Sequence, residues 1–248
     1  MPALIAALLG AIIGSFLNVV IARVPARESL VSPGSKCPGC GTAIKPYDNM
    51  PVISWVLLRG RCRSCGEPIS ARYPLVEALT ALVFAGIALV NGFDEDLALE
   101  LPFAAVLIAI AFIDLDHRVI PNRILLPTAV YGLLVGALVD LGAMPEMLIA
   151  GAAAFTFLLV AALAYPAGMG MGDVKLAGVM GLFLGAAVAP ALLIGFAAGA
   201  GLGIAMIARE GAAARKKGVP FGPFLALGGI VALLVGNELI DLYSDRFL

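Results

Sequence analysis

Two aspartates, Asp114 within Phe112-Ile113-Asp114-Leu115-Asp116-His117 and Asp173 within Gly170-Met171-Gly172-Asp173-Val174-Lys175, sit at the edges of long apolar runs. A carboxylate costs roughly 2.5 to 3.5 kcal/mol at the centre of a membrane-spanning helix and less toward its end, so an ionisable residue there marks a functional site and needs a partner. Each aspartate supplies the other's partner. Two carboxylates sharing one proton can activate a water and protonate a leaving amine, which is the chemistry of aspartic proteolysis. A second chemistry lies in the four cysteines, Cys37-Pro38-Gly39-Cys40 and Cys62-Arg63-Ser64-Cys65, two knuckles with 21 residues between them. Each C-x-x-C presents two thiolates at one tetrahedral edge, with Gly39 and Gly41 or Gly66 easing the turn, and two such turns close a four-thiolate zinc site. Four thiolates leave no open position for water, so the expected role of the metal is structural. A pair of disulfides is the competing reading, and a reducing cytosolic location argues against it.

The elements that must position these residues follow from composition. With 61% hydrophobic residues, 13% charged residues and a mean hydropathy of +1.03 over 248 residues, the chain is no ordinary soluble domain, whose charged fraction is about 25%. The expected fold is an all-α polytopic membrane protein. Apolar stretches of bilayer-crossing character fall at 3–22, 74–91, 99–114, 124–141, 146–166, 174–189, 191–208 and 221–240, about eight spans in all. The third and sixth are short, and the boundary between the sixth and seventh is drawn at Pro190. The first span lacks a basic leading region and has its first charge, Arg23, after the apolar run, so it reads as a permanent helix rather than a cleaved signal. No low-complexity tract or internal repeat is evident. Three regions result: 1–22, the first transmembrane helix; 23–73, a polar insertion holding the tetracysteine zinc module; and 74–248, a multi-helix membrane domain carrying both aspartates. The insertion is too small for a core of its own, and such sites gain roughly 10 kcal/mol or more on binding zinc, so metal would supply much of its folding free energy.

Charge asymmetry orients the spans. With the N-terminus outside, the inside loops hold Arg23, Arg27, Lys36, Lys45, Arg59, Arg61, Arg63, Arg72, Arg118, Arg123, Lys175, Arg209, Arg215, Lys216 and Lys217, fifteen of the sixteen basic residues, leaving only Arg246 outside. Asp94, Glu95, Asp96, Glu100, Asp140 and Glu146 fall in outside loops. A net charge of -1 thus hides a basic inner face, suited to anionic lipid headgroups rather than nucleic acid. In this topology Asp114 ends the third span as the chain reaches the cytosol, and Asp173 opens the sixth as it returns from that side. Both carboxylates then lie at one depth, with Gly170 and Gly172 permitting close backbone approach to Asp173, while Pro121 ends the helix beyond Asp114. Other assignments compete. His117 and Arg118 read as a hydrated helix end, with Asp116 open to either role; Asp173 could cap its helix; and Glu77 and Glu238 read as interfacial, with Glu77 able to line the site.

Several motifs resemble those of one family. Gly14-Ser15-Phe16-Leu17-Asn18-Val19-Val20, Asn49-Met50-Pro51-Val52-Ile53-Ser54-Trp55, Ile69-Ser70-Ala71-Arg72-Tyr73-Pro74-Leu75-Val76-Glu77, Asp114 followed by Ile120-Pro121-Asn122, and Gly170-Met171-Gly172-Asp173-Val174-Lys175-Leu176 are together similar to those of the type IV prepilin peptidases. These enzymes of pilus assembly and type II secretion couple a leader peptidase to an N-methyltransferase, and the similarity covers nearly the whole chain. It implies a bacterial inner-membrane enzyme that cuts the short basic leader from prepilins or pseudopilins at the cytosolic face and then methylates the new N-terminus from S-adenosylmethionine. It also implies that Asp114, rather than Asp116, is the first catalytic residue and Asp173 the second. Gly60 matches a glycine needed for methylation, whereas on physical grounds it is equally a turn residue. No strand, glycine-rich turn and helix suited to an adenosyl group is present, so the methyl transfer rests on the resemblance alone.

Three other readings explain part of the sequence. A proton-coupled transporter carries intramembrane acids, but usually at mid-membrane and in repeated halves. A zinc-stabilised scaffold leaves the Gly-x-Gly-Asp frame idle. A presenilin-like intramembrane aspartic protease of other substrates, without methyl transfer, shares Gly-x-Gly-Asp but has no tetracysteine module.

Overall fold

The computed structural model describes residues 1–165, 168–211 and 218–247. Nine α-helices are formed by the described residues: α1 Pro2–Arg23, α2 Ile53–Leu57, α3 Arg72–Val90, α4 Leu97–His117, α5 Asn122–Val139, α6 Met144–Ala164, α7 Met171–Leu184, α8 Val188–Glu210 and α9 Gly222–Phe247. The only β pairing among them is two isolated bridges, Lys36 with Ala43 and Arg61 with Pro68. In lipid every backbone polar group must find a partner within its own segment, which is why apolar sequence of this kind becomes helix. Six helical stretches are long and apolar enough to cross a membrane, Met171–Glu210 counting as one stretch of 40 residues, and Gly222–Gly236 is a shorter apolar helix. That long stretch is broken at Gly185–Ala187, so eight apolar helices stand where eight spans were expected. The break falls earlier than Pro190. Gly185 has φ +53° and ψ −134°, a conformation open only to glycine, whereas Pro190 sits in the first turn of α8, where its missing N–H leaves no helical bond unmade. Arg215, Lys216 and Lys217 of the expected basic loop lie outside the described residues, as does the side chain of Arg246.

The chain divides into two compact units, Met1–Phe93 and Asp94–Leu248. In the first, α1 packs along α3. Gly10 and Gly14, one turn apart, make this possible, since a Cβ on either would come within 2.7 Å of α3 backbone atoms at Thr80 and Glu77. Small residues spaced this way allow two helices to touch backbone to backbone where no hydrophobic effect drives them together. Asn18 Nδ2 adds a hydrogen bond to the Tyr73 carbonyl at 3.1 Å. The sequence reading assigned α3 to the region after the polar insertion; its packing partner is α1.

In the second unit α6 lies against α7, α8 against α9, and α4 against α9. The α6–α7 contact repeats the same device, a Cβ at Gly181 falling 2.5 Å from the Ala150 carbonyl. Phe103 on α4 stacks on Phe183 of α7, centroids 4.3 Å apart. Helix α7 has only 14 residues, about 21 Å at 1.5 Å per residue, and Val174, Leu176, Ala177, Val179 and Met180 along it are all buried. It is an interior helix, shorter than a bilayer is thick.

Candidate functional site

Asp114 lies in the last turn of α4, whose C-terminus closes with the Arg118 N–H on the Asp114 carbonyl at 2.9 Å and Arg118 in the left-handed region. Three residues on, Pro121 stands just before α5. The side chain of Asp114 is 5% exposed, and its Oδ2 accepts the backbone N–H of Gly222 at 2.9 Å. That N–H is the first of α9, one of the orphan donors every helix leaves at its start, with the positive end of the helix dipole behind it. Asp173 is the third residue of α7 and 8% exposed. Its Oδ2 accepts the Gly170 N–H at 3.1 Å, the carboxylate half of a capping box. The capping role weighed for Asp173 is therefore present, and it leaves the second carboxylate oxygen uncommitted to that bond. The start of α7 is brought to the segment that follows Asp114: a Cβ on Gly172, next to Asp173, would meet Ile120 Cβ at 2.9 Å.

The neighbours sort clearly. Asp116, His117 and Arg118 are exposed. Lys175 Nζ donates to Asn122 Oδ1 at 3.2 Å, which ties α7 to the start of α5 rather than to either aspartate. Gly222 escaped the sequence reading. A Cβ there would stand 2.8 Å from Asp114 Oδ2, so only glycine lets α9 begin against this carboxylate. Its visible signal is Phe221-Gly222-Pro223-Phe224, a glycine and proline opening an apolar run.

The four cysteines come together. Their sulfurs all lie within 4.8 Å of one another, with Cys37 and Cys65 Sγ at 3.8 Å. A tetrahedral ion with bonds of about 2.3 Å sets its ligand sulfurs about 3.8 Å apart, so the set fits such an ion, and all four thiols are free of disulfides. The knuckles are local copies of each other, offset by 25 positions. Cys37 N–H bonds the Thr42 carbonyl at 3.0 Å and Cys62 N–H the Glu67 carbonyl at 2.8 Å; Gly41 N–H bonds Cys37 and Gly66 N–H bonds Cys62, both at 2.9 Å. Gly41 and Gly66 have φ of +70° and +74°. The hydroxyl and backbone of Thr42 hold the Cys40 thiol down to about 6. Backbone hydrogen bonds at Cys65 and Ser64 lower Cys62. Against the lowering pull of the Glu67 backbone, Cys65 is pushed up to about 12 by desolvation and the other three sulfurs. A cation held by all four sulfurs must displace the proton that Cys65 keeps, which makes metal uptake proton-linked.

Beside the second knuckle, Gly60 has φ +65°, and a Cβ there would meet Trp55 Cζ2 at 2.8 Å. Trp55 Nε1 donates to the Ile69 carbonyl at 3.0 Å. Gly60 is thus a turn residue roofed by the indole. Glu77, 8% exposed, accepts the Val52 N–H at 2.7 Å, while its backbone lies against Gly14, whose Cβ would stand 2.7 Å from Glu77 Cα, so α1, α3 and the start of α2 meet there.

A profile described as Bacterial Peptidase A24 N-terminal domain matches residues 8–90, and one described as Type IV leader peptidase family matches residues 101–204. Among curated proteins, one from Aeromonas hydrophila is 40% identical over 95% of this chain and 91% of its own length. The chain belongs to the type IV leader peptidase family. Relatives from Pseudomonas aeruginosa and Bacillus subtilis are each 34% identical, covering 95% and 96% of this chain and 91% and 96% of their own lengths. All three are named prepilin leader peptidase/N-methyltransferase. The two family profiles meet between α3 and α4, where the two compact units also divide. No solved structure matches the chain.

Proposed function

We propose that this chain is a bacterial inner-membrane enzyme that removes the basic leader of prepilins or pseudopilins with Asp114 and Asp173 and then N-methylates the exposed N-terminus. The observation that carries the peptidase half is a pair of buried carboxylates, each at a helix end and each held by one glycine N–H. One aspartate, ionised, takes a proton from the attacking water; the other, protonated, polarises the scissile carbonyl. The proton then passes to the leaving amine as the C–N bond breaks. The pair titrates as a unit, so neither role is permanent.

The N-terminus lies outside and the tetracysteine module and aspartates at the cytosolic face, as the distribution of lysine and arginine favours. Residues 23–73 form the module associated with methyl transfer from S-adenosylmethionine, with Cys37, Cys40, Cys62 and Cys65 holding a structural zinc ion and Gly60 serving the transfer; residues 74–248 form the peptidase region. When bound, zinc supplies no reaction chemistry. It cross-links the two knuckles and fixes the loop that carries Gly60 and Trp55.

Co-expression with a tagged prepilin and mass spectrometry of the product tests this reading. Asp114→Asn and Asp173→Asn are each expected to reduce leader removal by about 10² to 10⁴, and Asp116→Asn to leave it within about twofold. A product that carries a methyl increment reports the second activity. Normal cleavage by both Asp114→Asn and Asp173→Asn would refute the dyad.

A further inference from the structure

The short helix α2 exposes Ile53, Val56 and Leu57 by 51%, 60% and 76%. Spaced i, i+3 and i+4, these residues form one face, and Met50, 48% exposed, precedes them. In a loop bathed in water such a face would be a liability. The hydrogen bonds of the first unit set its depth. Val52 N–H donates to Glu77, five positions inside α3 from Arg72 and so about 7.5 Å along the helix axis. The backbone of Glu77 lies against Gly14 of α1, whose Cβ would stand 2.7 Å from Glu77 Cα, and Gly14 lies nine positions inside α1 from Arg23, or about 13.5 Å. Two separate spans therefore place the start of α2 below the level of their own terminal arginines.

The local backbone is built for that level. Val52 has φ +59°, an outlier for a β-branched residue, and the bond to Glu77 is what its N–H gains there. Met50 N–H reaches the Ser54 hydroxyl at 3.0 Å, and that hydroxyl donates to the Tyr47 carbonyl at 3.0 Å. Polar groups satisfied within the segment are the condition for non-spanning backbone to enter the apolar boundary. Beyond the apolar face come Arg59 and Arg61, both exposed, cationic groups matched to anionic headgroups.

We propose that α2 is an interfacial membrane anchor: its Ile53, Val56 and Leu57 face enters the headgroup and acyl boundary of the bilayer, and Glu77 sets its depth. The tetracysteine loop is then seated on the membrane rather than free in the aqueous phase. This rests on α1 and α3 being spans and on no catalytic assignment.

Trp55 is the one tryptophan of the chain, so wild-type protein in proteoliposomes of phosphatidylethanolamine and phosphatidylglycerol reports directly. A nitroxide-labelled lipid with its label near the glycerol backbone is expected to quench Trp55 at least about twofold more than one labelled at the chain terminus, as an interfacial depth requires. Iodide in the buffer is expected to quench weakly, and Glu77→Ala to raise iodide quenching. Strong iodide quenching of the wild type with both lipids silent overturns the proposal. A benzophenone side chain at Leu57 gives an independent answer: phospholipid adducts support it, and cross-links to a second copy or another protein in place of lipid overturn it.

Discussion

The tetracysteine module and the aspartate site are held in opposite ways. Each knuckle is closed by partners within nine residues of each other, such as Cys37 with Thr42 and Cys62 with Glu67, and then depends on an ion to join it to its copy. Asp114 is positioned by Gly222, 108 residues away, through packing of α4 on α9 that needs no ion. A centre made of local turns costs little to encode and has little stability alone; a centre made of packed helices is stable but fails if one contact is overfilled. Removing metal should therefore separate the two. A strong thiophilic chelator is expected to abolish methylation and open residues 24–71 to protease, because folding of such a loop is coupled to the ion, while leader cleavage survives. Mass spectrometry of the product and of proteolytic fragments checks both, and loss of cleavage in step with methylation would erase the contrast.

The reverse perturbation is Gly222→Ala. Its Cβ would stand 2.8 Å from Asp114 Oδ2 and 3.1 Å from Asp114 Cβ, and neither a buried carboxylate nor the start of a helix can yield freely. Displacement of a reacting group by about 1 Å can cost 10²-fold, so cleavage is expected to fall on the order of 10- to 100-fold. Bound metal per chain should stay at the wild-type value. Retained cleavage would show that α9 does not position Asp114.

The same contrast explains what could be read from sequence. Cysteines at C-x-x-C spacing announce their chemistry because the geometry lies within each motif. Helices were legible because apolar composition in lipid leaves the backbone few choices, and Asp114 and Asp173 stood out through their rarity beside apolar runs. Contacts between distant segments left fainter marks. Gly222 looked like any helix-opening glycine, Glu77 like an interfacial acid, and nothing in Val52 signals a positive φ imposed by tertiary context. Proline drew the α7–α8 boundary to Pro190, although Gly185 makes it, because a proline in a first turn costs nothing. The pairing of α3 with α1 depends on Gly10 and Gly14 meeting backbone, which is a property of two surfaces and not of either sequence alone.

Within the module itself the smallest effect probes how local the knuckles are. Gly41 and Gly66 differ from Gly222 in kind: both have positive φ, and a Cβ on either meets nothing within 4 Å. Only the left-handed backbone opposes a side chain, at roughly 1 to 2 kcal/mol, so Gly41→Ala and Gly66→Ala are each expected to weaken metal affinity about 5- to 30-fold. Because the knuckles repeat one geometry, the two values should agree, and the departure of the double variant from their sum measures the coupling that the shared ion carries. Competition titration with a chromophoric chelator measures all three. A large inequality between the two would mean that one knuckle leans on the rest of the first unit, with the Trp55 roof over Gly60, next to the second knuckle, as the contact to examine.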